Sequence, residues 1–462
     1  MNLSSVRSSQ LNMVKISVFF VLSLFVFLMD GCGSSQKIAQ PAHKKGAGLQ
    51  FDTTSLFKRD FVGFALYDPA KGKMIYEHNA SKYFTPASNN KLFTFYGALK
   101  MLPDSIPALR YMVKQDSLIF WGTGDPTFLH PYYKQQRAYT FLKDSGKKLF
   151  YSPDNYIGKP FGPGWSWDDY NYYYSTERAP FPIYGNFVRF NVNKIVRYNI
   201  NKKDNEPDVQ PSFFISHVQD STSDPNESDL IVRNRFNNHF VIYPKADTVT
   251  YTEDVPFKYS PALMVKLLSD TLHKEVHLLH VPLNHNAKTL YSVPADSIYR
   301  HMLLVSDNFL AEQLLLLCSS RISDTLNSAH AIHYIEQHYL KDLPDKPVWV
   351  DGSGLSRLDL ETPRNMVKIL EKIRNVLPED ELFQFLPTGG ETGTLKDWYK
   401  AKTPYVHGKT GTLSNNHNLS GFLITKSGKT LIFSLMVNHY VDSTTQIRQE
   451  MQQLLWRIHE MF

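Results

Sequence analysis

The sequence predicts an α+β fold, an antiparallel sheet flanked by helices with smaller β-rich insertions, from three observations: a strand pair near the amino end, a second strand pair with a helix at the carboxyl end, and a stretch of different character between them. At the amino end, Phe61 to Tyr67 and Met74 to Tyr76 are apolar runs around Asp68-Pro-Ala-Lys-Gly72, which reads as a hairpin. At the carboxyl end, Leu419 to Thr425 and Thr430 to Val437 flank Lys426-Ser-Gly-Lys429, and helical periodicity follows from Thr445 to Ile458. If the two hairpins pair, both ends of the chain build one domain with the last helix on a face of its sheet. Between them, residues 107–257 carry aromatic clusters, short candidate strands and the polar run Asp220 to Asp229, which reads as a loop. This stretch is expected to be an inserted region of two nested domains, leaving 51–106 and 258–462 as the main domain. Helical periods return in Ala262 to Leu272, Ser297 to Cys318 and Pro363 to Val376, a helical subdomain beside the sheet.

Composition narrows the function classes. The 462 residues exceed the ~150 typical of one domain. With 42% hydrophobic and 20% charged residues the chain is neither disordered nor polytopic. A net charge of +6 is spread too thinly for nucleic acid, and no nucleic-acid partner is expected. Two cysteines, Cys32 and Cys318, cannot make a disulfide framework. The apolar run Ile16 to Met29 follows Arg7 and Lys15 and is shorter than the ~20 residues of a membrane-spanning helix, so 1–31 reads as a signal peptide. Leu28-Met-Asp-Gly-Cys32 resembles a bacterial lipoprotein box, although Asp30 departs from its pattern; an ordinary secretory leader is the alternative. The expectation is export to the periplasm or cell envelope, a lipid on Cys32 as the sole membrane attachment, and residues 32–50, rich in Ser, Lys, Gly and Ala, as a flexible tether. Met13 is an alternative start. Cys318, within a run of leucines, reads as a small buried hydrophobe.

Candidate chemistry begins at Ser88-Asn-Asn-Lys91. A serine and a lysine three apart share a helix face, and a lysine kept neutral by burial can take the hydroxyl proton. The spacing alone is weak, since Ser34/Lys37, Ser55/Lys58 and Ser145/Lys148 repeat it. Ser306-Asp-Asn308 and Lys409-Thr-Gly411 follow in order, and the three together form the signature of class A β-lactamases and penicillin-binding proteins. On that reading Ser306 passes a proton to the leaving nitrogen, Asn308 holds a substrate amide, and Lys409, Thr410 and Thr412 bind a terminal carboxylate. Backbone N–H groups of Ser88 and Thr412 would form the oxyanion hole, and Gly411 counts with Thr410 and Thr412 among the substrate-binding residues.

Longer stretches carry a closer likeness. With Tyr83 to Ser88, Gly122 to Thr127, Pro163-Gly-Trp-Ser-Trp-Asp-Asp169, Asp351-Gly-Ser-Gly-Leu-Ser-Arg357 and Leu386 to Leu395, the chain from about Phe61 onward resembles the low-molecular-mass class C penicillin-binding proteins, D-alanyl-D-alanine carboxypeptidases/endopeptidases of peptidase family S13. The resemblance implies a penicillin-recognising, β-lactamase-like catalytic domain interrupted between its first and second motifs by two nested domains. It implies action on peptidoglycan stem peptides, acylation by β-lactam antibiotics, and a role for Asp169 in binding a side-chain amine of the stem peptide. A β-lactamase or esterase on the same scaffold, or an idle wall-binding lipoprotein, are the competing readings.

Four lookalikes are set aside. Glu361-Thr-Pro-Arg-Asn365 is similar to a deacylating glutamate loop, yet Thr362-Pro363 reads better as a helix start. His273, His277 and His280 lack metal-site spacing and suggest a strand, so no metal or other cofactor is expected. Gly389 to Gly393 and Asp351 to Gly354 read as turns.

Overall fold

The computed structural model describes residues 55–192, 208–221, 230–243 and 251–462. The leader, Cys32, the tether and most of the polar run at 220–229 lie outside the described residues.

The chain begins with α1 (Ser55–Arg59) and the hairpin β1 (Phe61–Asp68) and β2 (Lys73–His78), then α2 (Lys91–Met101). The hairpin β3 (Ser105–Lys114) and β4 (Ser117–Gly122), α3 (Arg137–Asp144) and β5 (Lys148–Ser152) follow. Short strands come next: β6 (Phe187–Val192), β7 (Asp208–Gln210), β8 (Val218–Asp220), β9 (Ile231–Arg233), β10 (Phe240–Ile242) and β11 (Tyr251–Pro256). Then α4 (Pro261–Leu272), β12 (Val276–Leu278) and β13 (Lys288–Pro294) lead into the helices α5 (Ala295–Leu304), α6 (Asn308–Ser319), α7 (Ser328–Tyr339), α8 (Pro363–Arg374) and α9 (Glu379–Phe385). The chain closes with β14 (Val406–Leu413), β15 (Asn416–Ile424), β16 (Thr430–Asn438) and α10 (Thr444–Met461).

The two terminal hairpins do pair. The sheet order is β14-β15-β16-β1-β2, with Phe61 opposite Asn438 and Tyr67 opposite Ile432 in an antiparallel register. Apolar positions of α2, α6 and α8, among them Phe93, Leu314 and Ile369, meet Phe422, Ile432 and Met436 of that sheet in one buried core. α10 packs on β15 through residues outside that core.

A second five-stranded sheet, β12-β5-β4-β3-β13, mixes parallel and antiparallel pairs, and two three-stranded sheets, β8-β10-β9 and β11-β6-β7, lie in the same insert. Their core joins Phe120, Tyr151, Phe181 and Phe190 to Met264, Leu267 and Leu268 of α4. α4 and β12 bury apolar side chains in this second core, Leu290 of β13 packs against it, and Val293 of the same strand lies in the first core. The period read through 297–318 is also divided. Ser306 adopts a left-handed φ of 63° and the Asp307 carboxylate accepts from Leu310 N–H, which ends α5 and caps α6.

Candidate active site

Ser88 sits on a 3-10 turn, Ala87–Asn90, that runs directly into α2. Ala87 is held at φ 49°, a conformation an L-residue adopts only when its surroundings fix it. They do so by close packing. A Cβ on Gly354 would lie 1.8 Å from the Ala87 carbonyl oxygen, and one on Gly411 would lie 2.4 Å from that of Pro86 and 3.0 Å from the Ser88 nitrogen. From below, Asn418 Nδ2 donates to the carbonyls of Thr85 and Pro86, both at 2.9 Å. The Ser88 backbone is thus clamped between β14, β15 and the 351–354 turn.

Lys91, completely buried, has its Nζ 2.9 Å from Ser88 Oγ, 2.6 Å from Asn308 Oδ1 and 2.7 Å from the Ser353 carbonyl. Burial pushes its pKa down to about 8, against the opposing pull of Asp351, Asp307 and Glu312. Asn308 is fixed from its other side, where Nδ2 donates to the Tyr174 carbonyl at 2.9 Å.

Ser306 and Lys409 form the second half of the site. Lys409 Nζ donates to Ser306 Oγ at 2.8 Å and to the Thr410 carbonyl at 2.7 Å. It is also buried, and burial together with the nearby Lys91 charge holds its pKa well below the ordinary lysine value. An arriving carboxylate would favour its charged form again. Thr410 is buried and shares a hydrogen bond with Thr394 at 2.7 Å, whereas Thr412 is exposed on β14 and meets His417.

Asp169 joins through one intermediary. Tyr174 Oη donates to Asp169 Oδ1 at 3.0 Å, and the same tyrosine's carbonyl holds Asn308. Burial raises the Asp169 pKa, with the Tyr174 bond opposing. Ser88, Lys91 and Asn308 are brought into direct contact, as are Ser306 and Lys409, and Gly411 packs against the serine.

Sequence reasoning missed several members. The Ser353 and Tyr174 carbonyls are backbone acceptors with no side-chain signature. The 351–354 turn is a turn, as read, but one whose carbonyl holds the candidate base. Under it, Glu312 Oε1 accepts from Ser353 N–H at 2.8 Å, and Asp351 accepts from the N–H groups of Gly354 and Ser356 and from Trp165 Nε1. Arg178 donates to Glu312 across 3.3 Å. The repeated Asp351-Gly-Ser-Gly354 and Trp165 were in view as motif residues, and a buried acid beside two glycines was the available signal.

The set-aside residues fall as follows. Thr362 caps α8 with Pro363 in its first turn, and Glu361 is buried with Asn365 donating to its carboxylate. His277 lies on β12, while His273 takes a left-handed φ at the end of α4. Cys318 is buried, which pushes its thiol up to about 12.

Comparison with known proteins adds three findings. The family described as D-Ala-D-Ala carboxypeptidase 3 (S13) matches residues 52–458. The D-alanyl-D-alanine carboxypeptidase DacB of Haemophilus influenzae is 23% identical over 437 residues, covering 82% of this chain and 85% of that protein. The crystal structure of penicillin binding protein 4 (dacB) from the same organism superposes with a TM-score of 0.69 at 21% identity, covering 87% of this chain and 97% of that one. This likeness supports the penicillin-recognising fold expected from the motifs.

Proposed function

The chain belongs to the D-Ala-D-Ala carboxypeptidase 3 (S13) family, serine peptidases, and from that premise we propose that it hydrolyses peptidoglycan stem peptides after D-alanine through an acyl-enzyme on Ser88. One observation carries the assignment: a fully buried amine 2.9 Å from a serine hydroxyl. Lys91, neutral, takes the Ser88 proton as Oγ attacks the D-alanyl carbonyl. The N–H groups of Ser88 and Thr412 receive the oxyanion, and Ser306, held by Lys409, delivers a proton to the departing nitrogen as the proton held by Lys91 is passed on to Ser306, which leaves Lys91 neutral. Lys409, Thr410 and Thr412 bind the terminal carboxylate, Asn308 a substrate amide, and Asp169 a side-chain amine of the stem peptide. Water then enters, neutral Lys91 takes its proton as the oxygen attacks the ester carbonyl, and that proton returns to Ser88 Oγ as the serine leaves.

β-Lactams would acylate the same serine and leave slowly. The test is covalent labelling by benzylpenicillin, followed by mass. Adduct on the native chain and none on Ser88→Ala supports the assignment; equal labelling refutes it. Incubation with cell-wall fragments then separates loss of one alanine from splitting of cross-linked dimers. The organisation proposed around this domain is a signal peptide over 1–31, a lipid on Cys32 as envelope anchor, a tether over 32–50, and two nested domains in the insert. Cys32→Ala should release the protein from membranes into the soluble envelope fraction; retention there overturns the anchor.

A further inference from the structure

Thr412 on β14 and His417 on β15 are cross-strand partners, and Thr412 Oγ1 lies 2.8 Å from His417 Nδ1. The ring is only 2% exposed, whereas the threonine is exposed. Among the described residues that hydroxyl is the ring's only hydrogen-bonding partner. A hydroxyl carries one proton, so the contact has two forms. If Thr412 donates to Nδ1, it turns oxygen lone pairs outward and repels an anion. If Nδ1–H donates to Oγ1, the threonine proton is free to point outward and receive one. Burial and the neighbouring Arg448 and Lys409 charges push the ring's pKa down to about 3, so the choice lies between neutral tautomers.

We propose that His417 is a positioning residue for carboxylate recognition: in its Nδ1–H tautomer it donates to Thr412 Oγ1 and aims the Thr412 hydroxyl at the substrate's terminal carboxylate. The inference rests on the peptidase reading above and deepens it, because it ties the anion site to one donor chain, His417 to Thr412 to ligand. It also separates the two threonines of the strand. Thr410 meets another hydroxyl, Thr394, in a contact either oxygen can donate, whereas Thr412 meets a ring nitrogen whose tautomer sets the direction of its proton.

The experiment measures Ser88 acylation rates by benzylpenicillin and by its methyl ester, which lacks the free carboxylate, in the native protein, His417→Leu and His417→Asn. Loss of one hydrogen bond to an anion corresponds to roughly tenfold or more. His417→Leu should therefore slow the free acid about tenfold and leave the ester unchanged. His417→Asn, whose amide nitrogen falls near the Nδ1 position, should recover most of that loss. In the native protein labelled with 15N-histidine, Nδ1 of His417 should resonate as a protonated nitrogen once the acid is bound. Equal slowing of acid and ester, no slowing of either, or an unprotonated Nδ1 in the complex overturns the proposal while native acylation persists. If the native protein forms no Ser88 adduct at all, the peptidase reading itself falls, and this inference with it.

Discussion

An ammonium at Lys91 has three protons and three acceptors, Ser88 Oγ, Asn308 Oδ1 and the Ser353 carbonyl, so each is engaged. When one proton leaves, the lone pair can face the serine while the other two hydrogen bonds persist, and the base is formed without rotating the side chain. Two consequences can be measured by stopped-flow acylation. The rate should climb with pH and level off above about 8, because only the neutral amine accepts the serine proton and the folded protein lowers its pKa to about 8. Lys91→Met should lower the plateau rate above pH 8 by roughly 10²–10⁴-fold and remove that limb. At this scale the sequence was most legible: the side chains that meet at Ser88 and at Lys409 are those the motifs name. The carbonyls that hold them were not, since any residue supplies a carbonyl, and His417 was hidden because it lies five positions from Thr412 and meets it only when β14 folds back on β15.

The elements deliver these groups through their ends rather than their middles. Ser88 precedes α2, Ser306 and Asp307 separate α5 from α6, and the 351–354 turn precedes α8. Periodicity reads the middles of helices well, which is why α4, α8 and α10 were legible to within a few residues. It ran straight through the break at Ser306, where a left-handed backbone and an aspartate cap decide the outcome. Gly354 shows how little slack such an end has. It sits at φ 75°, and a methyl there would overlap the Ala87 carbonyl, so Gly354→Ala should cost on the order of 1–3 kcal/mol in urea melts and slow acylation by displacing Ser88. Glu361, just before α8, allows a second test. Burial raises its folded pKa to about 8, above the unfolded value, so the favourable contribution of its protonated form is complete below the unfolded value and is lost as pH rises through 8. Glu361→Gln should therefore gain stability over the native chain between pH 5 and pH 9, by roughly 2–4 kcal/mol; an unchanging difference across that range would refute it.

Across the whole molecule, a run of buried hydrogen bonds leads to Lys91. Arg178, from the insert, donates to Glu312 on α6 and to Ser328; Glu312 accepts from Ser353 N–H; the Ser353 carbonyl accepts from Lys91. The arginine and the glutamate are both buried, and burial raises the Glu312 pKa to about 7. Removing one partner of such a pair leaves the other uncompensated. Arg178→Ala should destabilise by about 3–5 kcal/mol in urea melts and slow acylation, and the double variant Arg178→Met with Glu312→Gln should recover a large part of the stability. That the terminal hairpins share one sheet was legible from their patterns; which core α4 joins was not, because its helical period is the same whichever core it packs into.

The sheet carries one more consequence. β1, among the first strands made, takes β16, among the last, as its neighbour, and the serine turn leans on β14 and β15. A ribosome must therefore finish nearly the whole polypeptide before any antibiotic can be captured. A fluorescent penicillin bound to this protein reports more than an occupied hydroxyl: it certifies that the first and last parts of the molecule have found each other.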